Sequence, residues 1–373
     1  MLKKIMTGAA IAALAVSLAA CSSTKSGDTG STDAAATTTD CNVGIAMPTR
    51  SLERWINDGE QLQKKLTDAG CKVDLQYADN KTDQQISQIQ NQIAGGAKIL
   101  VIAAIDGSTL GPVLDEAKAQ NATVIAYDRL INGSKNVDYY ATFDNYKVGQ
   151  LQGKFIEDKL GLASGKGPFN LEPFAGSPDD NNAKFFFAGA WDVLKPYVDK
   201  GQLVVPSGKA PANDDAWASI GIQGWASDKA QSEMDNRLSS FYGDGKKVNV
   251  VLSPNDSLAI GIEASLKSAG YTAGDAYPII TGQDADKANV KAILDGLQSM
   301  TVWKDTRALG DRVFTMIQEI TQGKEVEVND SETYNNGVKV VPSYLLTPEV
   351  VTKDDVQTKL IDSGFLKASD VGL

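Results

Sequence analysis

Residues that can recognise a small molecule recur after the apolar runs of this sequence. Most of them follow a segment rich in Val, Ile and Leu, and one tryptophan follows Gly224 in a region without a strand pattern. They are Arg54, Trp55, Asp128, Arg129, Asn182, Trp225, Asn255, Asp284 and Lys304. Carboxylates, amides and cations together can satisfy hydroxyl groups, each of which donates one hydrogen bond and accepts two. Indole rings stack on the apolar faces of a sugar ring, so this set favours recognition of a neutral polyol.

Each of these residues taken alone has an ordinary structural interpretation. Asp128-Arg129 is typical of a surface ion pair or a helix start, Asn255 of a helix N-cap, and either tryptophan of core packing. Their joint placement at the ends of successive strands is what favours a site. In open α/β sheets, ligands bind beyond the carboxyl ends of the strands.

Composition excludes several other kinds of chemistry. The 373 residues include no histidine, which removes Ser-His-Asp and Cys-His catalysis and histidine-ligated metal sites. A net charge of −11 argues against a nucleic-acid groove, which needs a basic stripe. The chain contains no GxxxxGK[ST] phosphate loop and no calcium loop of the D-x-D-x-D-G type. We therefore expect no cofactor, no metal, no catalytic residue and no nucleic-acid partner.

The elements that must position these residues alternate in type along the chain. Strand-like runs such as 43–47, 73–77, 99–103 and 123–127 are separated by amphipathic helical stretches, and a second such series begins near residue 144. The pattern is typical of doubly wound parallel sheets, and the length predicts two domains. We therefore expect an α/β protein with two similar lobes and a cleft between them.

The N-terminus predicts export and attachment to a membrane. Residues 1–21, MLKKIMTGAAIAALAVSLAAC, combine a basic start, an apolar stretch and small residues before Cys21. This ending resembles the lipobox of bacterial lipoproteins, in which the cysteine is lipidated; the alternative is an ordinary signal peptide with an accidental cysteine. Residues 22–40 are almost entirely Ser, Thr, Gly, Ala and Asp, so they predict a flexible tether.

Two further cysteines, Cys41 and Cys71, each stand at the start of a predicted strand. Neighbouring parallel strands would bring the two starts close enough for a disulfide, and an extracytoplasmic location permits one. Two free thiols are the alternative.

The motifs together resemble a known family, the sugar-binding receptors of bacterial ABC transporters, and within it the xylose-binding and multiple-monosaccharide-binding (ChvE-type) proteins. The resemblance covers the chain from Asn42 onward. Its most specific segments are GSPDDNNA at 176–183, GQDAD at 282–286 and VPSYLLTP at 341–348, supported by LERW at 52–55 and VIAYDRLI at 124–131.

The resemblance implies a type I periplasmic-binding-protein fold with a three-strand hinge. It assigns residues 41–143 and 305–341 to lobe one, and residues 144–304 and 342–373 to lobe two. It also implies that the nine residues named above contact the sugar, with Trp55 and Trp225 stacked on its ring. The expected ligand is an aldose of the xylose, glucose, galactose or arabinose class. The expected protein is a monomer that closes around the sugar and presents it to an ABC permease.

Three other functions fit parts of the sequence. A sensory co-receptor would bind sugar in the same way and signal to a membrane kinase. A secreted glycosidase would need two carboxylates about 5–9.5 Å apart, for which Asp256 and Asp284 are the candidates. A sugar-sensing repressor would need an N-terminal helix-turn-helix, where this chain has a signal sequence and a tether.

Overall fold

The computed structural model describes residues 40–243 and 245–373. The predicted signal sequence, the lipidation site at Cys21 and the tether up to residue 39 lie outside the described residues. Within the described ranges, no helix has the length and apolar character needed to cross a membrane.

Lobe one is built on a six-stranded parallel sheet. Its N-terminal elements are β1 (Asn42–Met47), α1 (Glu53–Asp68), β2 (Lys72–Tyr77), α2 (Thr82–Ala94), β3 (Ile99–Ile102), α3 (Gly111–Ala119), β4 (Thr123–Tyr127) and β5 (Tyr139–Phe143). The last helix and strand of the lobe come much later in the chain, as α9 (Thr306–Thr321) and β11 (Ser343–Leu346). The strand order is β11-β5-β4-β3-β1-β2, with every neighbouring pair parallel.

The sequence of β3 explains why this sheet is covered on both faces. Ile99 and Val101 pack into the core cluster on one face, while Leu100 and Ile102 pack into the cluster on the other. A strand that alternates its side chains between two buried faces must be apolar throughout, as parallel strands between helical layers usually are.

Lobe two contains a four-stranded parallel sheet and a small antiparallel pair. Its elements are α4 (Asn145–Leu160), β6 (Phe169–Pro173), α5 (Asn181–Asp199), β7 (Leu203–Val204), α6 (Ser227–Phe241), β8 (Val250–Leu252), α7 (Asp256–Ser268), β9 (Ile279–Ile280), α8 (Lys287–Asp295), β10 (Thr301–Trp303), β12 (Glu349–Val351) and α10 (Ala368–Val371). The sheet order is β7-β6-β8-β9, and β10 pairs with β12. One large apolar core joins this sheet to α4–α7.

Within the ranges that the structure describes, the chain passes between the lobes three times. The crossings follow β5, β10 and β11, which gives the expected three-strand hinge. One predicted boundary is wrong: residues 343–346 were expected in lobe two, but β11 pairs with β5 in the lobe-one sheet. The physical reason is that β11 completes the edge beside β5, so the third crossing occurs after Leu346. The other lobe boundaries stay predictions.

Cys41 and Cys71 form a disulfide at the start of the first two strands. Their Cα atoms are 4.8 Å apart, and Asn42 pairs with Lys72 in the adjacent register position. The bond ties the strand that follows the predicted tether to its neighbour in the sheet. It closes a loop with a sequence separation of 30.

Candidate functional site

All nine residues predicted to bind a ligand line one cavity between the lobes. The space enclosed between the lobes in this arrangement is small, with a volume of about 30 Å³. Four other residues complete its lining: Leu52, Asp180, Phe186 and Gln283. Residues far apart in the chain thus converge because the carboxyl ends of strands from both sheets face the cleft.

Lobe one supplies its residues from the start of α1 and the end of β4. Arg54 and Trp55 lie in the first turn of α1, and Asp128 and Arg129 follow β4 directly. The backbone of Asp128 is fixed from β5, since its carbonyl oxygen accepts hydrogen bonds from the Tyr140 hydroxyl at 2.8 Å and the Thr142 hydroxyl at 3.0 Å. Buried side chains of the next strand therefore hold the Asp128 carboxylate at the cleft.

Arg54 is the electrostatic centre of the site. Its Nη2 atom lies 2.8 Å from the carboxylate of Asp58 and 3.1 Å from that of Asp128, while Nη1 lies 3.5 Å from Asp284 in lobe two. Burial alone would lower the pKa of Arg54, but these carboxylates raise it well above its usual value. The guanidinium is thus permanently charged and carries an ion pair across the cleft.

Two acidic partners of Arg54, Asp58 and Asp128, have pKa values shifted in opposite directions. Burial raises the pKa of Asp58 to about 6, partly offset by Arg54. Burial would also raise the pKa of Asp128, but Arg54, Lys304 and Arg129 outweigh it and lower this pKa below its ordinary value. Asp128 is therefore an ionised acceptor at neutral pH.

In lobe two, Asp180 connects several side chains that line the cavity. Its Oδ2 atom lies 3.0 Å from Nε of Arg129 and accepts a hydrogen bond from Nε1 of Trp225 at 3.2 Å. Its Oδ1 atom accepts the backbone N–H of Asn182 at 2.9 Å, capping α5. Sequence reasoning missed Asp180 because DDNN reads as a capped turn. In the structure, the Asp180 carboxylate both caps α5 and lines the cavity.

The remaining lobe-two residues lie in the first turn of α5 and in the loops before α7, after β9 and after β10. Asn255 caps α7, since its Oδ1 accepts the Leu258 N–H at 3.1 Å, and this leaves its NH₂ group as a donor. Lys304 follows β10 directly and places Nζ 3.0 Å from Asp284. Asn182 also reaches across the cleft, donating from Nδ2 to the carbonyl oxygen of Asp128 at 2.6 Å.

Three lining residues have left-handed backbone conformations. The φ angles are +58° at Asp128, +55° at Trp225 and +101° at Asp284. Such angles cost non-glycine residues about 1–3 kcal/mol each and persist where the surroundings fix them, often at functional sites. Gly176 also serves this arrangement, because a Cβ atom there would lie 2.0 Å from the Trp225 ring.

The two tryptophans have different surroundings. The Trp55 ring lies 4.3 Å from the Arg54 guanidinium carbon and 5.0 Å from that of Arg129. Trp225 packs edge-to-face with Phe186, with centroids 6.3 Å apart. Stacking of both indoles on a ligand stays a prediction. Phe186 follows Asn182 by one helical turn, so helical periodicity could have found this further aromatic residue.

The two carboxylates proposed for a glycosidase do not both face the cavity. Asp284 lines it, but Asp256 is completely buried, with Oδ1 accepting from Gln298 at 2.9 Å and Oδ2 from Thr301 at 3.1 Å. Burial, followed by the charges of Asp286 and Asp284, raises the pKa of Asp256 well above its usual value. Asp256 therefore acts as an internal anchor. Among the described residues, no cluster of three or more Cys, Asp or Glu side chains is arranged to hold a metal ion.

Two parallel-sheet lobes, three crossings and a cleft lined by converging polar groups define a two-lobed ligand-binding protein. Residues 43–325 match the family described as periplasmic binding protein domain. The multiple sugar-binding periplasmic receptor ChvE of Rhizobium radiobacter is 52% identical over 330 residues, covering 88% of this chain and 92% of that protein. The D-xylose-binding periplasmic protein of Escherichia coli K12 is 38% identical over 340 residues, covering 91% and 95%.

Solved structures give the same result. An ABC transporter solute-binding protein from Clostridium phytofermentans with bound β-D-glucose has a TM-score of 0.84 and 51% identity, covering 88% of this chain and 99% of that one. The chain belongs to the periplasmic binding protein family, and it has the type I fold of that family. The resemblance and the fold class drawn from the sequence are both confirmed.

Proposed function

We propose that this protein is an extracytoplasmic receptor that binds one neutral monosaccharide in the cleft and delivers it to an ABC permease. The named relatives are receptors and binding proteins for sugars, and the homologous structure from Clostridium phytofermentans holds glucose. The proposed ligand contacts are the nine residues predicted from the sequence, together with Asp180.

The observation that carries the proposal is the balance of charge around the cavity. Three cations line it and so do three carboxylates: Arg54, Arg129, Lys304, Asp128, Asp180 and Asp284. Each cation lies within 3.5 Å of at least one of these carboxylates. Paired charges offer strong donors and acceptors without a net field, which suits uncharged hydroxyl groups. A sugar acid or a sugar phosphate would instead need an unpaired cation.

Closure follows from contacts that span the cleft. Arg129 with Asp180, Arg54 with Asp284, and the Asn182 hydrogen bond to Asp128 all join one lobe to the other. A sugar held by both lobes stabilises this arrangement by its differential affinity for the closed state. The closed pair of lobes is the form that a permease would recognise, and no covalent chemistry is involved.

The location proposed for the receptor is the outer face of the cell membrane. A lipid on Cys21 and the tether 22–40 would hold a monomeric binding domain there. This form of anchoring fits a receptor of a Gram-positive cell. A sensor kinase as partner would use the same sugar-binding step and stays a prediction.

Isothermal titration calorimetry of the chain from Cys41 onward tests the proposal. We expect micromolar or tighter binding of D-glucose, D-xylose, D-galactose or L-arabinose. We expect no comparable binding of D-glucuronate or D-glucosamine, which carry the same ring with a charge. Absence of binding to every neutral monosaccharide, or hydrolysis of aryl glycosides, would contradict the proposal.

A further inference from the structure

Leu52 is the aliphatic side chain in the cavity lining. It immediately precedes α1 and is half-buried. Its side chain packs against the core of lobe one and also against the core of lobe two. Leu52 of lobe one thus packs against lobe two at the edge of the cavity, and we call this contact the seal.

A second cavity lies on the other side of this seal. It has a volume of about 300 Å³ and receives residues from both lobes. Three residues line both this outer cavity and the cavity described above: Leu52, Arg129 and Trp225. Asn80, Asp179, Gln223 and Lys229 also line the outer cavity, and these polar groups are suited to hydroxyls. The three shared residues form the partition between the two spaces.

The members of the partition are held in different ways. Arg129 donates to the carbonyl oxygen of Ala104 at 3.1 Å and pairs with Asp180, and Trp225 donates to the same carboxylate. The Leu52 side chain has no polar atom, so only packing contacts hold it in place. Its truncation would open the partition without breaking a hydrogen bond.

The partition on another side of the site is built differently. A cavity of about 190 Å³ there shares Arg54 and Asp284 with the site cavity. These two residues are the cross-cleft ion pair, and Lys304 also holds Asp284. Opening that side would remove groups proposed to bind the ligand. Leu52 is therefore the position at which a substitution can change the size of the ligand that the site admits without removing a polar group that binds it.

We propose that Leu52 is a specificity-determining residue that limits the site to a single sugar ring. The inference rests on the proposed sugar-binding function and deepens it. With the leucine in place, a second ring attached to the bound sugar would collide with the Leu52 side chain where it packs between the lobes. Without it, the second ring extends into the outer cavity, where amide, carboxylate and ammonium groups surround it.

Calorimetry on wild type, Leu52→Ala and Leu52→Val tests the inference with D-glucose, D-xylose, maltose, cellobiose, gentiobiose and trehalose. The ratio of disaccharide Kd to D-glucose Kd should fall in Leu52→Ala by about tenfold or more for at least one disaccharide, a typical effect of a small change in an apolar pocket. Leu52→Val should give a smaller fall in the same direction. Leu52→Met conserves volume and should keep the wild-type ratio.

Leu151→Ala is the matched control, because this half-buried leucine of α4 packs against the lobe-two core alone. It should lower thermal stability without changing the ratio. An unchanged ratio in both Leu52→Ala and Leu52→Val would overturn the inference while leaving the proposed function intact, as would tight disaccharide binding by wild type. Failure of wild type to bind any monosaccharide would overturn the proposed function itself.

Discussion

Two buried clusters in this molecule each pair an arginine with a carboxylate, but for different purposes. The site cluster consists of Arg54, Asp58, Asp128, Asp284 and Lys304. The core cluster consists of Glu172, Ser207, Arg237 and Tyr242, all within lobe two. Both place an arginine against an aromatic ring, at 4.3 Å in the site cluster and 3.9 Å in the core cluster.

The difference lies in where the charges find their partners. Glu172 is completely buried, and its carboxylate is satisfied within the lobe by Ser207 at 2.6 Å, Tyr242 at 2.7 Å and Arg237 at 3.1 Å. The site cluster spans both lobes and borders a cavity. A buried ion pair therefore indicates function when its groups face a space that another molecule can fill.

The largest expected effect is on stability, in the core cluster. Arg237→Ala leaves the Glu172 carboxylate buried without its cation, so the free energy of unfolding should fall by about 3–5 kcal/mol. Sugar affinity of the folded protein should be unchanged. Chemical denaturation and calorimetry measure the two quantities, and Arg50→Ala at the exposed Arg50–Glu60 pair should cost less than about 1 kcal/mol. A loss of affinity in Arg237→Ala would break the distinction between the clusters.

The second effect is on binding, in the site cluster. Asp128→Ala removes an ionised acceptor and leaves Arg54 with one fewer partner, so the binding free energy should weaken by about 2–5 kcal/mol. Titration calorimetry against the best monosaccharide measures this loss. Asp68→Ala, which removes an exposed carboxylate paired with Lys64, should bind as wild type does. Equal affinities for Asp128→Ala and wild type would show that the site cluster is merely structural.

Removal of the disulfide should lower the stability of the protein without changing its sugar affinity. Cys41→Ser with Cys71→Ser should lower the free energy of unfolding by about 2–4 kcal/mol, because the unfolded chain gains the freedom of the opened loop. The bond lies at the amino ends of the strands, opposite the cleft, so affinity should stay within about twofold of wild type. A large loss of affinity would mean that the disulfide also positions the site.

The smallest effect is a pH dependence arising from Asp58. The folded pKa is raised from 3.8 to about 6, so folding takes up a proton between these values and stability falls as pH rises through that window. The contribution is fully present below the unfolded pKa, and its total loss above pH 6 is at most about 3 kcal/mol. The free energy of unfolding of wild type minus that of Asp58→Asn should therefore decrease from pH 4 to pH 6. A difference that stays flat, or rises, would contradict the assignment; Asp68→Asn is the exposed control on the same helix.

The sequence predicted most of the polar side chains of the site, apart from Asp180 and Gln283, but only the two tryptophans of its apolar part. All nine predicted residues line the cavity because strand ends in parallel sheets meet at one edge, and their chemical types could be read directly. Leu52 and Phe186 carried no such chemical signal. Glu172 lies in a similar position at the end of an apolar run, but in the fold it forms a buried ion pair with Arg237 inside lobe two and does not line the cavity.

The fold was predictable where partners are local in sequence. The first four strands and their helices follow from alternating apolar patterns, with boundaries shifted by a residue or two. The pairing of β11 with β5 was not predictable, because the two strands are separated by about 200 residues and no local pattern specifies their register. The wrong lobe boundary near residue 342 follows from this.

A crystal structure of the chain from Cys41 onward with its tightest-binding monosaccharide would locate the ligand directly. We expect one sugar ring between the lobes, with hydroxyls within about 3.2 Å of the Asp128 and Asp284 carboxylates and the Lys304 ammonium. It also predicts contact between the ring and Trp225. A sugar bound instead in the outer cavity or at the hinge, with the site cluster unchanged and out of contact, would contradict it.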